Sequence, residues 1–114
     1  MHEASLMKTA LDLALSQAAA QGARRVHRLG MRVGDLSGVV PDALQFAFEA
    51  LSLGSAAEGA RLDIERVAPR YACDTCGAEF DPAEELLPEC PHCGALGGRL
   101  CRGLELELTS LEIS

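Results

Sequence analysis

Two cysteine pairs constrain this chain more than anything else in it. Cys73-Asp74-Thr75-Cys76-Gly77 is followed by Cys90-Pro91-His92-Cys93-Gly94. Two residues between cysteines let both sulfurs of a pair face one metal around a tight knuckle. The trailing glycine can take the positive φ that the knuckle needs. Two knuckles supply four thiolates in a tetrahedron, the donor set of a closed structural zinc site, so Cys73, Cys76, Cys90 and Cys93 are the expected zinc ligands. Iron is the rival occupant, since the same knuckles hold it. A closed site leaves no open coordination position for hydrolysis. Five cysteines, an odd number grouped in pairs, favour reduced thiols and metal over a disulfide framework.

Between residues 70 and 98 the apolar groups are few, Tyr71, Phe80, Leu86, Leu87 and Leu96, so metal must stand in for a core there. The acids Glu79, Asp81, Glu84, Glu85 and Glu89 lie between the pairs without a Lys or Arg. With a net charge of −7 over 114 residues, this module is expected to meet protein rather than nucleic acid. No apolar run approaches the ~20 residues that span a bilayer, and no basic signal-peptide start is present. The expectation is a cytoplasmic protein. No Ser/His/Asp or open-metal constellation marks a hydrolase, so no enzymatic activity is expected.

The rest of the chain reads as a small α+β layer, a three-stranded sheet with two helices on one face and the zinc ribbon inserted. Apolar periodicity predicts a helix over 4–21, with Leu6, Ala10, Leu13, Ala14 and Gln17 along one side and Met7, Leu11 and Ala18 widening it. Alternation predicts a strand over 24–34, with Val26 out of phase. Pro41, Asp42 and Gly54 bracket a second helix whose stripe is Leu44, Ala47, Phe48 and Leu51. A strand follows over 60–67, and a last one over 104–113 with a bulge near Ser110. Strands one and two flank a helix, which favours a parallel pair. The expected domains are 1–69 with 99–114, and the ribbon 70–98. His27 reads as a strand surface residue, His92 as an exposed knuckle residue and Cys101 as a buried strand thiol.

His2 is ordinarily a surface residue, but with the adjacent backbone amides its imidazole can chelate a metal. Deprotonated amides favour a square-planar d⁸ ion such as nickel(II). Met1-His2-Glu3, Gly34-Asp35-Leu36-Ser37-Gly38-Val39, the Phe46-Ala47-Phe48 helix, both cysteine pairs and the closing Leu104–Ile113 strand together resemble the HypA/HybF family nearly end to end. That resemblance implies a nickel metallochaperone for [NiFe]-hydrogenase maturation. His2 would be the principal nickel ligand with Glu3 assisting, the four cysteines would hold zinc, and the partners would be a HypB-type GTPase and the hydrogenase large subunit. A homodimer is compatible with it.

Some family members change zinc ligation with pH through a second histidine near the quartet. Only His92 flanks a cysteine here, so that switch is not carried over. A helix beginning near Glu3 would place its positive end against a bound cation, which predicts modest, pH-dependent nickel affinity. The competing reading is a zinc-ribbon interaction module without a nickel role.

Overall fold

A computed structural model describes residues 3–82 and 88–114. Helix α1 (Glu3–Ala20) leads to β1 (Val26–Gly34), α2 (Pro41–Leu51) and β2 (Arg61–Val67). Four further strands follow: β3 (Arg70–Ala72), β4 (Glu79–Phe80), β5 (Arg99–Arg102) and β6 (Leu106–Ile113). They form two three-stranded sheets, ordered β2-β1-β6 and β4-β3-β5. The α+β layer and the inserted ribbon expected from the sequence are both present. The Cα radius of gyration is 17.9 Å and the extents are 55 × 27 × 16 Å. A compact body of this length would have a radius of roughly 13 Å. The chain is elongated because its two sheets keep separate cores.

β1 is the centre of the larger sheet, parallel to β2 and antiparallel to β6. Leu29, Met31 and Val33 alternate onto the face that the helices cover, where they meet Met7, Leu11, Leu44 and Phe48. Val26, out of phase in the sequence, is also buried. The register with β6 shifts between Val26 and Arg28, and the extra residue returns Val26 to the inner face. A second shift, between Gly30 and Met31, falls opposite Ser110 and Leu108, so the bulge expected near Ser110 is present. On the outer face Arg28 pairs with Asp63 at 2.5 Å, and Arg32 spans from Glu65 to Glu107 at 3.0 Å each.

Two expectations are corrected. The buried face of α1 is Met7, Ala10, Leu11, Ala14 and Ala18. Leu13 is 49% exposed, and Gln17 is exposed beside it. α1 packs against α2 as well as the sheet, so its contact stripe turns toward Met7 and Leu11. The last strand begins at Leu106, and Leu104 lies exposed ahead of it. There the chain is still crossing between the sheets, held by the Gly34 N–H bond to Glu105 O at 2.7 Å and the Leu36 N–H bond to Gly103 O at 2.7 Å.

α2 starts at Pro41 without a side-chain cap from its own sequence. The Val40 N–H at its cap donates instead to Glu3 Oε2, 3.2 Å away on α1. In a capping box an acid of the helix's own first turn accepts that bond. The exchange ties the start of α1 to the start of α2.

Candidate metal centre

The ribbon is built on two matching turns. Cys73 N–H donates to Ala78 O at 2.8 Å, and Gly77 N–H donates back to Cys73 O at 2.9 Å. The second knuckle repeats this, with Cys90 N–H to Ala95 O at 2.9 Å and Gly94 N–H to Cys90 O at 2.8 Å. Gly77 and Gly94 have φ of 78° and 77°, the left-handed conformation that glycine takes without a Cβ penalty. β3 joins β4 and β5 beneath the knuckles, and Tyr71 stacks on Phe80 with ring centroids 6.1 Å apart.

This frame brings all four sulfurs of Cys73, Cys76, Cys90 and Cys93 within 4.8 Å of one another. Cys73 Sγ lies 3.6 Å from Cys93 Sγ, and Cys76 Sγ lies 3.6 Å from Cys90 Sγ. A disulfide needs ~2.05 Å, so these are not bridges. A thiolate tetrahedron with Zn–S near ~2.3 Å has sulfur edges of about 3.8 Å, which these contacts match. Cys73 and Cys90 are buried, while Cys76 and Cys93 face outward.

The electrostatics call for a cation. The Cys76 and Thr75 N–H groups draw the Cys73 thiol down to about 6. The Ala95 N–H acts the same way on Cys93, but the surrounding sulfurs of Cys73, Cys76 and Cys90, together with burial, push it up to about 12. Four sulfurs this close cannot all ionise beside one another without a positive charge among them. The donor set, the N–H groups aimed at sulfur and the spacing fit a tetrahedral divalent metal.

Other residues singled out in the sequence fall elsewhere. His92 is exposed on its knuckle, as expected. His27 is exposed on β1, its Nε2 2.6 Å from Ser114 Oγ. Cys101 is corrected: it lies on a strand but is exposed, its thiol 3.7 Å from Arg99 O. β5 is the edge of a sheet on which, among the described residues, no helix packs, so alternation turns Leu100 inward and Cys101 outward. β5 also lies beyond the 70–98 segment read from the cysteines, and it pairs with β3. Leu96, counted among the ribbon's apolar groups, is 68% exposed. Met1, His2, Glu84, Glu85, Leu86 and Leu87 lie outside the described residues.

Of the two N-terminal residues expected at nickel, Glu3 is described, and its carboxylate is engaged with Val40. Nothing in the local sequence signals this bond, because its partners are 37 positions apart. Distance along the chain also hides the Gly34–Gly103 approach. A Cβ on Gly34 would lie 2.1 Å from Gly103 O.

Fold and site together define a small two-module metalloprotein, a helix-covered sheet joined to a four-cysteine ribbon. A family model described as hydrogenase/urease nickel incorporation, metallochaperone, HypA matches residues 1–113. A hydrogenase maturation factor HypA from Geobacter metallireducens is 45% identical over 113 residues, covering 99% of both chains. One from a Picosynechococcus strain is 43% identical, again covering 99% of both. Among solved structures, a solution structure of a HypA protein matches with a TM-score of 0.76 and 26% identity, covering 100% of this chain and 97% of that one. That of the Ni metallochaperone HypA from Helicobacter pylori matches at 0.65 and 26%, covering 99% and 97%. The chain belongs to the HypA family of nickel metallochaperones. Among its described residues no helix is long and apolar enough to cross a membrane.

Proposed function

We propose that this chain carries Ni(II) at its N-terminus and delivers it for [NiFe]-hydrogenase maturation, with a structural zinc held by Cys73, Cys76, Cys90 and Cys93. The His2 imidazole and neighbouring backbone nitrogens bind the nickel, and Glu3 assists. The observation that carries this reading is the family match, which runs over residues 1–113 and takes in the Met1-His2-Glu3 start. The bond from Val40 N–H to Glu3 Oε2 fixes the first turn of α1, which His2 directly precedes in the sequence. Residues 1–69 with 103–114 form the nickel-carrying unit and 70–102 the zinc-ribbon unit, the 70–98 segment being extended by β5, which pairs with β3. The chain performs no catalysis, acts in the cytoplasm, and meets a HypB-type GTPase and the hydrogenase large subunit.

Chemistry divides the two metals. Four soft thiolates close a tetrahedron around zinc and keep it. Imidazole and amide nitrogen at a chain end suit a planar d⁸ ion that must leave again. The positive end of α1 opposes a bound cation, which favours release.

Nickel titration of untagged, zinc-loaded protein tests the reading. About one Ni(II) per chain is expected, and His2→Ala should abolish binding with zinc content and thermal stability nearly unchanged. Affinity should fall as pH drops through ~6.5, where imidazole protonation competes with metal. Nickel binding as tight in His2→Ala as in the parent would leave a zinc-ribbon interaction module as the better reading.

A further inference from the structure

Helices α1 and α2 start beside each other, joined by one side chain. Val40 is the N-cap of α2 and has no side-chain oxygen with which to cap it. The Glu3 carboxylate of α1 stands where the acid of a capping box stands, accepting the Val40 N–H bond at 3.2 Å, but it arrives from another helix.

The two ends of this bond are held very differently. Val40 is a firm point of attachment. Its carbonyl accepts from the Ala43 and Leu44 N–H groups at 3.1 Å each, and Leu44 is fully buried in the cluster that holds Met7 and Leu11. The first turn of α1 has little such support. Ala4 and Ser5 are exposed, Glu3 and Leu6 are half-buried, and the first fully buried residue of the helix is Met7. Helix ends fray where burial does not hold them. The Glu3–Val40 bond therefore ties down a turn that the core leaves loose.

His2 directly precedes that turn in the sequence. A chelate of imidazole and neighbouring backbone nitrogens needs those atoms in one arrangement, and a frayed turn spends only part of its time there. Apparent affinity falls with that fraction. The carboxylate also lies where two helix N-termini meet, and their partial positive charges favour it as an anion there. Moving it onto a metal would strip the α2 cap of its acceptor.

We propose that Glu3 is a positioning residue for nickel. Its carboxylate stays on the Val40 N–H, holds the first turn of α1 in place, and so orders the backbone that His2 uses, without itself bonding the metal. This rests on the N-terminal nickel reading and says how Glu3 assists in it.

The test titrates Ni(II) into untagged, zinc-loaded full chain, with His2→Ala run alongside. Glu3→Ala should weaken nickel binding roughly threefold to tenfold, the scale of a lost cap, and speed amide exchange at Val40. Glu3→Gln should recover most of that loss, because its side-chain oxygen accepts the same bond although an amide is a poor nickel ligand. Val40→Pro removes the N–H and leaves the carboxylate in place; the φ of Val40 is −92°, close to the proline range. It should weaken nickel as Glu3→Ala does, and the double variant should be no weaker than either single one. If Glu3 were a ligand, Glu3→Gln would lose as much as Glu3→Ala, and Val40→Pro would bind at least as tightly as the parent. Either result, or parent-like binding by Glu3→Ala, overturns the inference while loss of binding in His2→Ala leaves the nickel site standing. Parent-like binding by His2→Ala overturns the site and this inference together.

Discussion

The two sheets reach order by opposite means. The β2-β1-β6 sheet buries a continuous cluster that includes Met7, Leu11, Leu29, Val33, Leu44 and Phe48 beneath two helices. The β4-β3-β5 sheet buries Phe80 with Cys73 and Cys90, and among the described residues Tyr71 and Ala95 pack against them. Apolar burial contributes ~25 cal/mol per Å². The first sheet has enough of it to offset chain entropy, whereas among the described residues the second has two aromatic rings and a four-cysteine cluster. Metal binding of ~10–16 kcal/mol in small zinc modules is on the scale needed to close that gap. One chain therefore holds a core made of side chains and another built on a four-cysteine cluster fit for a metal. The lesson is that removing one kind of support should leave the other region standing.

The largest effect should come from breaking the quartet. Cys76→Ser, or a strong chelator, should release zinc and abolish amide protection across the ribbon strands, while β1, β2 and β6 stay protected. Exchange measured by mass spectrometry checks this; loss of protection throughout would mean that the cores are not independent. The converse is Phe48→Ala, which empties a buried site on α2. It should cost about 3–5 kcal/mol of stability in the helix-covered sheet. Zinc content should be unchanged, as metal analysis of the folded fraction would show.

The same contrast explains what the sequence revealed. The ribbon was legible because its chemistry is local: each knuckle is complete within five residues, and the glycines at 77 and 94 mark the turn. Helices and strands of the larger sheet were legible from their periods, down to the bulge at Ser110. What lay hidden depended on distant partners. The orientation of α1 follows from α2, so Leu13 and Gln17, on one side with Ala10 and Ala14 by period, line a surface hollow instead. Cys101 reads as buried because nothing nearby says that β5 is an edge strand with this position turned outward. The Glu3–Val40 bond joins residues that no local pattern links.

The joint between the two regions offers a smaller, sharper test. Asp35 N–H bonds Val67 O at 2.9 Å and Leu36 N–H bonds Gly103 O at 2.7 Å, so the turn after β1 holds both crossing segments. Gly34 is packed against the Gly103 backbone, and neither partner has a flexible side chain that could swing aside. Gly34→Ala should therefore displace the 103–105 segment and cost about 1–3 kcal/mol, the usual range for overpacking. Zinc should be retained and the β1–β2 pairing kept, with amide shifts gathered at 34–37 and 103–105. Shifts spread through the ribbon would instead mean that the joint sets the ribbon's own structure.

The smallest effect concerns acid, and it belongs to the larger sheet alone. The Arg28 side chain donates to Asp63 and holds its carboxyl below the ordinary value, with Arg61 adding to the pull against a partial desolvation penalty. A carboxylate whose folded pKa lies below its unfolded value of ~3.9 stabilises the fold fully above that pH. As pH falls below ~3.9, the unfolded chain takes up the proton first, and the contribution fades until the folded form titrates as well. Asp63→Asn removes this dependence, so the parent should lose more stability than the variant between pH 5 and 3, by a modest margin because the pair is partly solvated. Denaturant unfolding of β1 and β2 across that range reads the difference. Salt should shrink it, since exposed pairs are screened. Parallel pH profiles for parent and variant would show that the Arg28–Asp63 pair contributes nothing, and that the outer face is held by the Arg32 bridges and the apolar layer beneath.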